Sequence, residues 1–451
     1  MSNEDLVTSY VCRIPRESKP EVIAAIVHEA RTSISPGAYQ AWMALGRALA
    51  GERVAWIAPV TDGRLEAAFD CFQRASRAEP TSPAPWLEAG MTSRFLARSG
   101  ESLGHFARAL EAAPEDVHGL MLLANSWGRV GRPARALPFC DRVIELAGRV
   151  SLAIHLRAYL LRQAGKQQEA LETLEWSSSD NTDSMLGMRA QLLESVGRAA
   201  EAVPLQQRLC DASPWSWTTY ANTLSQLGRT QDALEALVEA EKRARTKVEV
   251  LPHRIAVLRK AERQAEASAL ASKAVSRIMG ALRRDKLPGS WDDAVDLLEA
   301  VEHYEEALAL IDKVIEKVPG AKRDRALLGQ RARLLLKCPG ASREHTVDAA
   351  RWFAKAASVD EKHSPRVNFW DPCVDRASLW NEAGLALVVV GDLSGAKAAF
   401  EAGQQVLGGQ EVYACLDTLR ENAAACSSDA VKRPLARIDL MAFRDPLLMC
   451  S

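Results

Sequence analysis

The sequence predicts an all-α protein, a solenoid of stacked antiparallel helix pairs. Three observations predict it. Helix formers dominate the 451 residues, with alanine, leucine, glutamate and arginine foremost. Small residues recur between apolar-periodic segments at Gly63, Ala97, Gly131, Gly165, Gly197 and Gly228, at spacings of 34, 34, 34, 32 and 31. Five residues after each stands a second one: Ala68, Ser102, Ala136, Ala170, Ala202 and Ala233. A period sustained near 34, with a second column in phase, marks a helical-repeat architecture.

The copies follow in order. The first reads Trp42, Leu45, Gly46, Leu49, then Ala68, Phe72, Ala75 and Pro80, with GERVAWIAPV (51–60) inserted between its halves. The second reads Trp86, Ala89, Gly90, then Phe106, Ala109 and Pro114. Copies at 117–150, 151–182, 183–213 and 214–246 keep the glycine and alanine columns and lose several aromatics. The copy at 248–280 has Glu262 where glycine is expected and Pro252 inside its first helix. The next gives Trp291, Leu298, Ala307 and Pro319, and that at 322–361 carries an insertion at 338–345. A further insertion, 362–376, holds Phe369 and Trp370; Trp370 is expected to cap the stack beside it, the alternative being a loop that carries partner contacts. The last full copy reads Trp380, Ala383, Gly384, Leu387, Gly391, Ala396 and Phe400.

These residues resemble the tetratricopeptide repeats, whose pattern is Trp-x2-Leu-Gly-x2-Tyr, then Ala-x3-Phe, then Pro. The resemblance implies a right-handed superhelix of about ten copies over residues 38–410. Residues 1–37 are then an N-terminal capping segment, 411–426 a C-terminal capping helix and 427–451 a docking or flexible tail. The column glycines end the first helices in left-handed backbone. Gly46, Gly90 and Gly384 let a partner helix approach, and Phe72, Phe106 and Phe400 are expected to fill the space between neighbouring copies. Pro138 and Pro204 share a column, so their helices are expected to start late or bend there.

Composition excludes several functions. Lys+Arg is 57 and Asp+Glu 58, a net charge of −1, which opposes a nucleic-acid binder. The nine cysteines are scattered without Cys-x-x-Cys, so no zinc knuckle or disulfide framework is indicated and a reducing cytoplasm fits. The opening MSNEDLVTSY lacks a signal peptide's apolar stretch, and the run LALVVV (385–390) is far short of the ~20 residues of a membrane helix. Alanine- and arginine-rich usage goes with a GC-rich bacterial genome.

The stretch GDLSGAKAAF (391–400) looks like a phosphate loop, but three residues instead of four separate its glycines and Lys397 is followed by Ala398. HEART (28–32) lacks the second histidine of a zinc-protease motif. No Gly-x-Ser-x-Gly occurs. The expectation is therefore a non-enzyme with no catalytic residues, no cofactor and no metal. The alternatives are a helical-repeat nucleic-acid binder and an enzyme whose site is built in the groove.

The resemblance implies a concave groove lined by first helices, holding another protein or a peptide. By register the lining is His118, Met121, Asn125 and Arg129, then His155, Tyr159 and Arg162, then Met188 and Gln191, then Trp215, Thr218 and Asn222. Amides suit an extended backbone because they donate and accept together. Asn125, Gln191 and Asn222 share a column, which resembles the asparagine ladder of some tetratricopeptide arrays. No asparagine has a lysine four residues before it, so the carboxylate clamp of heat-shock co-chaperones is missing.

Charge is uneven. Residues 241–286 hold 13 Lys/Arg against 5 Asp/Glu, and 313–337 hold 8 against 2. Between them, 291–310 hold 7 acids and no Lys/Arg. Asp292, Asp293 and Asp296, with Glu299, fall on one inward face, where they either attract neighbouring helices or hold a basic segment of a partner. The tail is basic and apolar, with Leu435, Ile438, Leu440, Met441, Phe443, Leu447 and Leu448, so it is expected to dock on the array or on a partner.

Overall fold

A computed structural model describes residues 3–14, 20–51, 63–96, 98–176, 182–210, 214–244, 246–359, 372–408, 410–426 and 435–438. Ala97, Phe369, Trp370 and most of 51–60 lie outside the described residues, as does the tail other than 435–438. Among the described residues every regular element is a helix. Two lead, α1 (Asn3–Cys12) and α2 (Pro20–Ser33). Ten pairs follow. They are α3 (Tyr39–Ala50) with α4 (Arg64–Ala78), α5 (Pro83–Phe95) with α6 (Ser99–Ala112), and α7 (Val117–Arg129) with α8 (Pro133–Ala147). Next come α9 (Ser151–Gln163) with α10 (Gln167–Glu175), α11 (Asp183–Ser195) with α12 (Ala199–Leu209), and α13 (Pro214–Gln226) with α14 (Thr230–Arg243). The rest are α15 (Lys247–Lys260) with α16 (Gln264–Arg283), α17 (Trp291–Ala300) with α18 (Tyr304–Lys317), α19 (Arg325–Lys337) with α20 (Arg343–Ala357), and α21 (Pro372–Val389) with α22 (Leu393–Val406). α23 (Ala414–Ala425) closes the series. Most helices pack chiefly on the one before and the one after, the contact pattern of a solenoid, whereas α17 packs on α15 and α18, and α1 chiefly on α3.

The turns inside the pairs show why the small-residue column exists. Gly63, Gly131, Gly165, Gly197, Gly228 and Gly391 all have positive φ, between 75° and 81°. Two pairs make the same turn without glycine. Glu262 holds φ 60° between α15 and α16, and Glu302 holds φ 67° between α17 and α18. A side chain there crowds its own carbonyl, at a cost of roughly 1–2 kcal/mol. Glu262→Gly should therefore stabilise the array by about 0.5–1 kcal/mol after the greater freedom of an unfolded glycine is allowed for. A rise in the urea midpoint checks it; a fall would show that the Glu262 side chain contributes more than its backbone costs.

Gly391 and the residues after it form a helix cap. The Asp392 carboxylate accepts from the Gly395 amide at 2.9 Å at the start of α22. A β-carbon on Gly395 would stand 2.9 Å from Asp392 Cγ, so the second glycine makes room for the cap.

The late start expected of the proline-bearing helices does not occur. α8 and α12 do not start late; each runs through its proline, which is the sixth residue of the helix. Pro252 holds the same place in α15. At that position the missing N–H frees only a carbonyl in the first turn, near the end where water can reach it.

Candidate functional site

The residues read as groove-lining all fall on first helices of the pairs, on one face by register. Two columns define that face. Ten residues before the turn glycine stand Met121, His155, Thr218 and Asn381; six before it stand Asn125, Tyr159, Gln191 and Asn222. Along α7, His118 is exposed, while Met121, Asn125 and Arg129 are buried, Asn125 completely. Along α9, His155 is buried with Nε2 3.0 Å from the Ser184 hydroxyl of α11. Tyr159 is fully buried, and the Arg162 guanidinium sits 5.1 Å from its ring centre. Arg162 also donates to Gln191 Oε1 at 2.9 Å. Met188 and Thr218 are buried and Gln191 is exposed. The side chain of Trp215 lies outside those described.

Several of these groups tie one copy to the next. Asn222 Nδ2 lies 3.4 Å from His253 Nδ1 on α15, and burial lowers the pKa of that histidine. On α17, Asp293 accepts from Thr246 and Ser290, each at 2.6 Å, and Asp292 from Ser290 at 3.3 Å. Asp296 accepts from Gln330 of α19 at 2.9 Å, and Glu299 accepts from Lys337 at 2.7 Å. Partial burial first, and then the nearby Glu299, Asp292 and Asp293, hold the Asp296 carboxyl above its ordinary range. The basic stretches are also matched locally. Asp285 pairs with Lys313 and Lys317, whose hydrogen bonds lower its pKa to about 2, and Arg331 pairs with Asp312 at 2.7 Å. Among the described residues no group of three or more His, Cys, Asp or Glu could hold a metal ion.

The inner face is bounded by a contact that sequence reasoning missed. Eight first helices after α7, the start of α23 returns to the third pair. The Ala414 amide donates to the Val130 carbonyl at 2.9 Å. Arg132 donates to Asp417 at 2.6 Å and to the Tyr413 carbonyl at 3.4 Å. A β-carbon on Gly100 would stand 2.7 Å from Gln410 Cδ. One apolar cluster joins Phe106, Leu123 and Val130 with Leu407, Tyr413 and Leu416.

Beside this junction the inner face holds a short piece of the chain's own tail. Ala436 O accepts from Asn422 Nδ2 at 2.8 Å and from Asn381 Nδ2 at 3.1 Å. Ala436 N–H donates to Asn422 Oδ1 at 3.1 Å. Asn422 also donates to Asn381 Oδ1 at 2.9 Å, so the two amides fix each other. Both asparagines are at most 2% exposed. Ile438 is buried, Leu435 packs on the same apolar cluster, and Arg437 lies 3.7 Å from Glu382. Burial raises the pKa of Glu382, with Arg437 and Arg333 opposing.

Within the pairs, helices approach closely at glycine. A β-carbon on Gly46 would meet Phe72 Cε1 at 2.6 Å, one on Gly90 would meet Phe106 Cδ1 at 2.7 Å, and one on Gly384 would meet Phe400 Cζ at 2.6 Å. Each phenylalanine is fully buried against the glycine of its own pair. The sequence expectation placed these rings between neighbouring copies; their contact with the glycine is within one copy. With the left-handed turn column, this recurring glycine–phenylalanine approach decides the architecture. The fold is a tetratricopeptide-like repeat array.

No protein-family model matches the chain, and no curated protein matches its sequence. Among solved structures, the array is similar to a tetratricopeptide repeat protein from Parabacteroides merdae, at 14% identity and TM-score 0.40, over 57% of this chain and 98% of that one. It is similar to a thermophilic tetratricopeptide protein of Thermus thermophilus, at 20% identity and TM-score 0.32, over 42% and 99%. Yeast Tom70 is similar at 12% identity and TM-score 0.32, over 81% and 94%. At these scores they add nothing to what the repeat geometry establishes.

Within the tetratricopeptide-like array, Asn381 was legible in the sequence: it stands in the column of Met121, His155 and Thr218. Asn422 follows no column glycine and had no such signal.

Proposed function

We propose that the array is a protein-interaction scaffold that holds an extended segment of a partner on its concave face. The observation that carries this reading is the Asn381–Asn422 pair, which satisfies both the N–H and the C=O of one extended residue. A backbone held that way is bound through its own N–H and C=O, which suits a peptide-binding groove. The ligand side of the proposal is protein and not nucleic acid, because Asp285 and Asp312 already neutralise cations of the basic stretches. Binding without catalysis is part of the same proposal: the inner-face histidines His155 and His253 hold neighbouring helices together. So is residence in the cytoplasm, where buried thiols such as Cys71 and Cys140, both pushed up to about 12, stay reduced. Among the described residues no helix is long and apolar enough to cross a membrane.

The exposed inner-face residues His118 and Gln191 are the places to test it. A photo-crosslinking residue at either should capture a defined protein in cells. The same probe at outward positions such as Gly104 and Glu235 should not. Capture from the outer positions alone would overturn the concave-face reading.

A further inference from the structure

The tail segment at the clamp shows more than a backbone contact. Leu435, on the N-terminal side of the clamped residue, packs on the apolar cluster that joins the second and third pairs to the C-terminal end of the array. Ala436 is small, at the point where two buried amides converge. Arg437 faces the half-buried carboxylate of Glu382, and Ile438 is buried beyond it. Residue by residue this is an apolar, small, basic, apolar reading frame in a segment outside any helix. The array supplies a matching feature for each position.

We infer that this site is a recognition site for extended segments of that pattern, and that the chain's own Leu435–Ile438 occupies it in competition with a partner. The inference rests on the scaffold reading and deepens it by naming the ligand class and the occupant. Its physical basis is tethering. Only eight residues, 427–434, join the capping helix region to Leu435, and so short a tether gives an effective concentration on the order of millimolar. The contacts themselves are few: one residue clamped through its N–H and C=O, two apolar side chains and one ion pair whose arginine is largely in solvent. Such a contact holds against dilute competitors through its tether and yields when the tail cannot adopt the clamped conformation.

The test uses the full-length chain and a fluorescein-labelled peptide of residues 433–440, RPLARIDL. Ala436→Pro removes the clamped N–H from the tail without touching the array. Arg437→Glu repels the tail from Glu382 and serves as an independent variant. Both should bind the labelled peptide about tenfold more tightly than the unaltered chain, as release from a tethered competitor predicts. Asn422→Ala added to either should abolish the gain, and a peptide with its second arginine changed to glutamate should bind none of the forms. Equal affinity in the unaltered chain and both tail variants overturns the inference, as does binding indifferent to Asn422→Ala, or no binding by any form. Those outcomes leave the scaffold reading intact if His118 and Gln191 still crosslink a partner; loss of those crosslinks fails that reading separately.

Discussion

Arg325→Ala should destabilise the last third of the array by about 3–5 kcal/mol. Arg325 opens α19, yet only 4% of its side chain is exposed. Its guanidinium donates to Asp375 of α21 at 3.1 Å and to the Val359 carbonyl at 3.0 Å. One side chain thus joins the ninth pair to the tenth. Removing it strands a carboxylate that is only 15% exposed, with no counter-charge, and strips a carbonyl of its donor. The double change Arg325→Met with Asp375→Leu should recover much of the loss, since a well-packed apolar pair replaces a buried ion pair at little cost. Hydrogen exchange resolved over α19–α21 is the right measurement, because repeat arrays need not unfold in one step. Protection unchanged by Arg325→Ala would mean that Asp375 finds water or another donor.

Gly90→Ala should cost about 1–3 kcal/mol, although alanine is the better helix former. The added carbon would stand 2.7 Å from Phe106 Cδ1 and 2.9 Å from Cζ, and closer still to Cε1. The ring has no exposed surface and nowhere to withdraw. Phe106→Leu in the same chain should restore part of the stability by opening that space. Gly104→Ala is the control of opposite sign. Gly104 lies within α6 with nothing inside 4 Å of the added carbon, so alanine there should stabilise by about 0.5–1 kcal/mol. Urea midpoints of the variants decide it; equal shifts for Gly90 and Gly104 would mean that helix propensity alone acts at both.

The fold was legible because each copy repeats a local requirement. A left-handed turn needs Gly131 or Gly165, and a close approach needs Gly90 against Phe106. Such requirements recur at a fixed spacing, and a spacing can be read without coordinates. Glu262 shows the limit of reading residue types: the turn forms there regardless, at a backbone cost. The site was less legible because it depends on where the accumulated curve ends. Arg132 and Asp417 are 285 residues apart, and no pattern in either neighbourhood announces the other. Likewise Asn381 could be placed on the inner face by register, but its partner Asn422 follows no turn glycine and is 41 residues away. Many inner-face groups that register selected as contacts, such as Arg162 with Gln191 and Asn222 with His253, prove to have partners in the next copy.

The bond between Val130 and Ala414, with Arg132 on Asp417, turns a spring into a hoop. A free coil stretches by adding a small angle at every joint, so a tug on either end is shared along its whole length. A hoop resists until its fastening opens and then lengthens suddenly.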